Sequence, residues 1–456
     1  MRALLLFLAL FLAAPAAAEP VRVTVTRQGE HFIADYAFPE SKAAWAFWRS
    51  SLAMADNLPF RPRSWTVLTP GVKLERRGKH DALIATDGRL VPHSVRVRLT
   101  PFTGHLVADY VPALKLGGGS VALFDGHFAV FSVDMAAVLD TLPSDFDPGL
   151  VGDPGTAVKF TGPGLRLAGD VEGHRAGNSS GAYGLFGVPD ASVSNGVATI
   201  IDSELPQWLS GYLRSFTPQA IVTLTEGLGP SGATEPTILA AWEGVETKDA
   251  SMNGGTLKGL ILMRFEGRDA LQPDDELRRI ARWFVTHEAA HFWLGQAVAY
   301  ETPRDSWIME GGADLLAIRT VAKIDPTYDA KRRINRAVAD CARLGGKPVA
   351  SAHERGEHDA FYACGAVFSL VAEKANGGDF FGFVRRLIDS NREDKRLNRA
   401  EWLAELARLS GSPELGRQIA VMLDEGARNP STAIAELLKQ AGIAFAPNAD
   451  GVPQLT

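Results

Sequence analysis

The chain has 456 residues, of which 46% are hydrophobic and 22% charged, and its formal net charge is −6. That length allows two or three domains with a sizeable core. The charge is small and no run of about five or six like charges occurs, which excludes the electrostatic footprint of a DNA- or RNA-binding protein.

The N-terminal MRALLLFLALFLAAPAAAEP carries one Arg, an apolar run from Ala3 to Ala14 too short to cross a bilayer comfortably, and a tail of small residues. It reads as a secretory signal peptide over residues 1–18, cleaved near Ala18. An uncleaved anchor is the alternative, and the small-residue tail favours cleavage. No later segment offers about eighteen consecutive apolar residues, so the mature protein is expected to be exported, periplasmic or extracellular, without a transmembrane segment.

From Glu19 to Asp134 the hydrophobic pattern has period two. In VRVTVTRQGEHFIADYAF, Val21, Val23 and Val25 alternate with polar residues, Gln-Gly turns the chain, and Phe32, Ala34 and Tyr36 alternate again, which predicts a hairpin. SWTVL, HSVRVRLTP, HLVADYV and HFAVFSVD predict further strands, with a helical insertion near AAWAFWRSSLA. Leu142 to Asn195 is rich in Gly, Pro, Ser and Asp with weak periodicity, and reads as an irregular connection. From Pro218 strands are expected at AIVTLTEG, PTILAAWEG and LKGLILMRFEG.

Then the period changes. DDELRRIARWFVTHEAAHFWLGQAVA has acidic residues at its start and apolar residues at helical spacing, so a helix should begin near Asp274 and run to about Ala299. WIMEGGADLLAIRTVAKI, YDAKRRINRAVADCARL, FYACGAVFSLVAEKA, DFFGFVRRLI, RAEWLAELARL and TAIAELLKQAG continue the helical pattern. The order is sheet, mixed, then helix, an α+β fold with an N-terminal antiparallel β domain and a helical C-terminal part. Cys341 and Cys364 are either a disulfide joining two helical segments or a pair of buried thiols, and an oxidising compartment favours pairing.

The chemistry concentrates in THEAAHFWLGQ. On a helix, positions i and i+4 share a face, so His287 and His291 can reach one ion, while Glu288 projects beside it and can hold a water. The motif alone is a modest signal. Glu310 in WIMEGGADLLA follows His291 after 18 intervening residues, far enough for a chain reversal that returns it alongside. His287, His291 and Glu310 would complete a Zn²⁺ site with an open fourth position, as catalytic zinc requires. Asp314, one turn beyond Glu310, is placed to accept an imidazole N–H.

HEAAHFWLGQ followed by WIMEGG resembles the gluzincin zinc metallopeptidases of the aminopeptidase N type, including the glycyl aminopeptidases. Trp293, Gly295 and the W-x-x-E-G phrase match beyond the ligands. The resemblance implies a thermolysin-like mixed catalytic domain. It divides the chain into a β-rich domain at 19–200, a zinc-binding catalytic core at 201–330, and a helical part at 331–456 that completes the cleft. It also implies peptide-bond hydrolysis, with Glu288 as general base and Tyr362, in FYACGA with Gly365 and Ala366, as hydrogen-bond donor to the oxyanion. One departure stands out. In ASMNGG, Asn253 occupies the position of the family's Glu that binds a free α-amino group, so exopeptidase and endopeptidase activity both stay open, with Glu243 and Glu246 as conceivable substitutes. The competing function is a catalytically silent relative that binds peptides or a partner protein. A structural zinc site is disfavoured because no cysteine accompanies the motif.

Other groups carry less. HERGEHD, from His353 to Asp359, reads as a charged loop with solvated histidines. His31, His80, His93, His105, His127 and His174 read as structural or surface residues. Ser179 and Ser180 lack a G-x-S-x-G elbow.

Overall fold

The computed structural model describes residues 19–144, 146–169, 181–187, 190–231, 233 and 235–456. The expected signal peptide, His174, Ser179 and Ser180 lie outside the described residues. The chain divides into two compact units, the first running to Lys115 and including Gly119–Leu167, the second comprising Leu116–Gly118 and the chain from Pro189 to Thr456.

The first unit is built from sheets. The expected hairpin forms Val21–Gln28 and His31–Ala37, paired antiparallel from Arg22↔Ala37 to Gln28↔His31. The sheet extends through Ser94–Leu99 and Trp65–Val67 on one side. On the other side Thr156–Thr161 pairs parallel with the first strand. A second sheet orders Val130–Val133, Ala44–Phe47, His80–Ala85 and Val72–Arg77. A short helix, α1, spans Arg61–Ser64. Arg61 is fully buried, ion-paired with Asp81 at 3.2 Å and lying over the rings of Phe47, Phe60 and Trp65.

Three expectations are corrected. AAWAFWRSSLA is not a helical insertion, because Ala44–Phe47 is an interior strand buried along its whole length. A strand covered on both faces loses its alternation, and a short apolar run then cannot be told from a helix by period. The Gly- and Pro-rich stretch from Leu142 to Asn195 is also not simply irregular, since it contains strands Thr156–Thr161, Arg166–Gly169, Ala182–Phe186 and Asp190–Ser194. HLVADYV makes only isolated bridges, and Ala108 sits at φ +52° in its middle, a conformation that interrupts a strand.

The second unit sets helices against a five-stranded sheet of order Asp190–Ser194, Val197–Ile201, Thr237–Trp242, Leu260–Glu266 and Ser251–Leu257. The middle three strands run parallel and the outer two antiparallel, which leaves Ser251–Leu257 as an edge strand. AIVTLTEG belongs to helix α2, Gln207–Leu228, rather than to a strand. Its β-branched residues mimic a strand locally. Leu209, Leu213, Phe216, Ala220, Leu224 and Leu228 are nevertheless buried at helical spacing, and burial of such a face outweighs propensity.

Helix α3 spans Asp275–Ala290, with the Asp274 carboxylate capping the Leu277 N–H at 2.5 Å and Asp275 and Glu276 in its first turn. It stops at Ala290, not near Ala299. Helices α4, Ser306–Ile324, α5, Ala330–Leu344, and α6, Asp359–Ala375, follow, and α7 to α9 (Phe380–Ser390, Arg399–Ser410, Glu414–Asp424) and α10 (Pro430–Gln440) complete the helical part. Cys341 of α5 and Cys364 of α6 form a disulfide.

The crossing of α4 and α6 is unusually tight. A Cβ on Gly311 would lie 2.1 Å from the Gly365 carbonyl carbon, and one on Gly365 would lie 2.3 Å from the Trp307 carbonyl oxygen. These two glycines let the helix backbones touch. Gly311→Ala should therefore push the helices apart and destabilise the protein by about 1–3 kcal/mol. Calorimetry checks this, and an unchanged melting profile would contradict the contact.

Candidate metal centre

His287 and Glu288 occupy the last buried turn of α3, and His291 is its C-cap, still at φ −67° and ψ −14°. Their four-residue spacing places the two Nε2 atoms 3.2 Å apart. Glu310, on the second turn of α4, brings its Oε2 to 3.4 Å from each Nε2. The three donor atoms thus form a nearly equilateral triangle. Bonds of 2.0–2.1 Å to a tetrahedral zinc ion require ligand atoms about 3.3–3.4 Å apart, and the triangle has that size.

Hydrogen bonding fixes the direction of each ring. His287 Nδ1 lies 2.9 Å from Asp314 Oδ1, and His291 Nδ1 lies 2.9 Å from the Leu294 carbonyl oxygen. Both partners accept, so both Nδ1 atoms donate and both Nε2 atoms turn a lone pair toward the triangle. The second contact explains why α3 ends early. The chain must fold back to aim Leu294 O at His291, and Gly295 takes φ +133° to allow it. Trp293, fully buried, pins this turn by donating from Nε1 to Gly229 O at 2.7 Å.

Burial by itself favours neutral His287, but the Asp314 and Glu310 carboxylates beside it outweigh that and raise its pKa to about 10. His291 is raised against the same burial by Glu310. Glu310 is held below the ordinary carboxylate range, against its burial, by both imidazoles. Among the described residues Glu310 Oε2 is also buried with no well-formed hydrogen bond, the two Nε2 atoms standing 3.4 Å away. Two converging lone pairs and an orphaned carboxylate oxygen are costly unless a cation sits among them, and a His₂Glu set with an open side suits Zn²⁺.

Glu288 is 8% exposed and outside the triangle. Its Oε2 accepts a 2.7 Å hydrogen bond from the Thr256 hydroxyl, which also lies 2.9 Å from the Glu288 carbonyl oxygen. Thr256 belongs to the edge strand, one residue beyond the ASMNGG segment that the sequence singles out. Only the register of that strand against α3 reveals the contact.

Tyr362, in the first turn of α6, stacks on His287 with ring centroids 5.6 Å apart. Burial, then the Glu310 and Glu288 charges, push its pKa above the ordinary phenol value, so it keeps its proton and remains a donor. Asn253 lies on the edge strand with a buried Oδ1 that has no hydrogen-bond partner among the described residues. Its register partner is Arg264, which pairs with Glu243 at 2.9 Å. Glu243 therefore faces a guanidinium, and Glu246 is exposed. HERGEHD is not the expected loop throughout, since Val349–Arg355 is a 3₁₀ helix, and His353 and His358 sit against the Phe361 ring. His80 and His127 are buried structural groups, bonded to the carbonyl oxygens of Pro143 and Tyr110.

No protein-family model matches this sequence, and no curated protein does. Solved structures do. Native yeast LTA4 hydrolase shares 12% identity at a TM-score of 0.50, over 90% of this chain and 68% of that one. The M1 zinc metallopeptidase from Deinococcus radiodurans shares 16% identity at a TM-score of 0.47, over 90% of this chain and 93% of that one. The likeness to native yeast LTA4 hydrolase is one of fold.

Zinc and protons compete for His287, so affinity for Zn²⁺ should fall as pH falls below about 10, by about tenfold per pH unit for each proton displaced. Asp314→Asn, which removes the charged acceptor behind His287, should weaken binding about 10–100-fold. Competition with a chromophoric chelator between about pH 6 and pH 8 measures both. An affinity that ignores pH would contradict the arrangement.

Proposed function

We propose that this chain is an exported zinc-dependent metallopeptidase related to the gluzincins of the aminopeptidase N type. The observation that carries the reading is the His287, His291 and Glu310 triangle with a fourth acidic group, Glu288, fixed beside it but not within it. A structural site has no use for that extra carboxylate. The fold shared with native yeast LTA4 hydrolase agrees with it, although at 12% identity the likeness concerns architecture alone. The signal-like N-terminus and the Cys341–Cys364 disulfide support export to an oxidising compartment.

When bound, Zn²⁺ supplies a Lewis acid that polarises the scissile carbonyl and makes water a nucleophile near neutral pH. The chain's own residues do the rest. Glu288 takes the water proton as the new carbon–oxygen bond forms, and returns it to the amine as the carbon–nitrogen bond breaks. Thr256 holds one oxygen of that carboxylate, and among the described residues nothing else bonds it. Tyr362 donates to the developing oxyanion, for which its raised pKa and fixed ring suit it. Asn253 offers a neutral acceptor where a carboxylate would form an ion pair with a free α-amino group, and a neutral bond is roughly half as strong as a charge-assisted one. N-blocked peptides should accordingly be cut as well as free ones.

Glu288→Gln should retain stoichiometric zinc while turnover falls about 10²–10⁴-fold. Thr256→Val should also keep its zinc and lose about tenfold in kcat, as expected for one hydrogen bond to a charged group. Zinc assay and single-turnover kinetics separate metal loss from loss of the base, and intact hydrolysis by Glu288→Gln would sink the mechanism. Mass-spectrometric mapping of cuts in a peptide library with free and blocked N-termini tests specificity. Cleavage of free N-termini alone would refute the part assigned to Asn253, and no cleavage at all would favour a silent peptide-binding protein.

A further inference from the structure

Two cavities share the lining residues Trp283, Arg333 and Arg336. One, of about 310 Å³, is lined by Trp283, Asp314, Tyr362 and Arg333 among others. The other, of about 610 Å³, shares Trp283 and Arg333 with it. The smaller cavity is not remote from the chemistry. Asp314 carries His287, Tyr362 stacks on His287, and the Trp283 ring lies 5.6 Å from the same imidazole.

The arginines of these cavities are mostly neutralised. Arg278 pairs with Asp275, Arg279 with Glu276 and Arg282 with Asp325. Arg343 pairs with Asp340 at 3.1 Å, and Arg336 approaches Asp340 at 3.8 Å. Arg332 has no carboxylate partner among the described residues, but it is exposed and borders only the larger cavity. Arg333 differs from all of them. It is half-buried, lines both cavities, and has no ion pair among the described residues. Its guanidinium carbon sits 3.7 Å above the Trp283 ring.

A guanidinium held over an indole ring is oriented and partly stripped of water while its N–H groups stay able to donate. Such a group binds a carboxylate with two hydrogen bonds and loses little freedom in doing so. Asp314 cannot be that carboxylate, because it is committed to His287. Asp340 is held by Arg343. Asp359 lines the same cavity but is exposed, with no bond to Arg333.

We propose that Arg333, stacked on Trp283, is the carboxylate-binding residue of a substrate subsite beside the metal centre, so that the preferred peptides carry a carboxylate near the bond that is cut. The carboxylate is either the peptide's C-terminus or an Asp or Glu side chain. The assignment rests on the peptidase reading for the word substrate, but the binding site itself does not require turnover.

The test uses the full chain as the zinc-loaded Glu288→Gln protein and isothermal titration with four probes. Ala-Phe-Ala-Ala as free acid is compared with its C-terminal amide. Ala-Phe-Glu-Ala amide is compared with Ala-Phe-Gln-Ala amide. A preference of roughly tenfold or more for the acid in one pair, as expected for a charge-assisted bond, supports the subsite and identifies the source of the carboxylate. Arg333→Met in the same background should abolish that preference while binding of the neutral probes persists, and Arg333→Lys should restore part of it. Equal affinities within both pairs, no binding of any probe, or a preference that survives Arg333→Met would each overturn the proposal. The comparison in the Glu288→Gln protein with Arg333 intact stands even where the Arg333 variants fold poorly. Turnover is read separately with the wild-type enzyme: carboxylate preference without cleavage keeps the subsite and ends the peptidase reading, while cleavage without preference does the reverse.

Discussion

The site depends on one constraint, the locking of both histidines through Nδ1. Asp314 and Leu294 O each accept a hydrogen bond from an Nδ1–H, and this turns the two Nε2 lone pairs toward one another at 3.2 Å. Without a cation or an added proton that meeting is repulsive, and Glu310 Oε2 adds a third acceptor with no donor of its own. In the proposed reading, that local instability is relieved by a dication. A proton satisfies only part of it, which is why the imidazoles hold on to protons so firmly when no metal competes.

Holding three acceptors in this geometry demands rigid support, and the second unit supplies it from several elements. α3 provides both histidines, α4 the glutamate and the Asp314 behind it, and α6 the tyrosine. The Gly311–Gly365 contact brings α4 and α6 together at backbone distance, one residue from Glu310 and three from Tyr362. The Cys341–Cys364 disulfide ties the same stretch of α6 to α5. Trp307, Phe368 and Trp402 pack edge to face beneath the crossing. Shifts of a few tenths of an ångström at this crossing would misplace Tyr362 relative to His287, and dense packing is what prevents them.

The elements that carry the chemistry were legible because helical spacing is strict. Positions i and i+4 must share a face, so His287 and His291 followed from the sequence, and Glu310 and Asp314 repeated the same rule on the next helix. Strand registers were not legible. Nothing in ASMNGGT says that Thr256 lies against Glu288, since that contact depends on how an edge strand sits beside a helix about thirty residues further on. The misread segments share a cause. Ala44–Phe47 is buried on both faces and α2 is rich in β-branched residues, so each lost the local signal that distinguishes strand from helix, and tertiary burial decided the outcome. The end of α3 at Ala290 was hidden for a different reason: Gly295 acts after the helix, through a turn whose purpose is to deliver Leu294 O to His291.

Charge gives the surroundings of the site a common logic. Glu288, Glu310 and Asp314 bring three negative charges to the site. A bound dication offsets two, leaving a net charge near −1 (2 − 3), which by itself would repel an anionic substrate group. On the edge strand, Asn253 in place of a carboxylate keeps that balance from becoming more negative, and the neighbouring Arg264–Glu243 pair adds nothing net. Arg333 then adds a positive charge beside the site. Two unit charges about 6 Å apart at an effective dielectric constant of about 20 interact by roughly 3 kcal/mol, so one unpaired guanidinium is enough to turn mild repulsion of a carboxylate into attraction. In the proposed reading Asn253 and Arg333 thus act in the same direction, away from selecting a free ammonium group and toward accepting an anion.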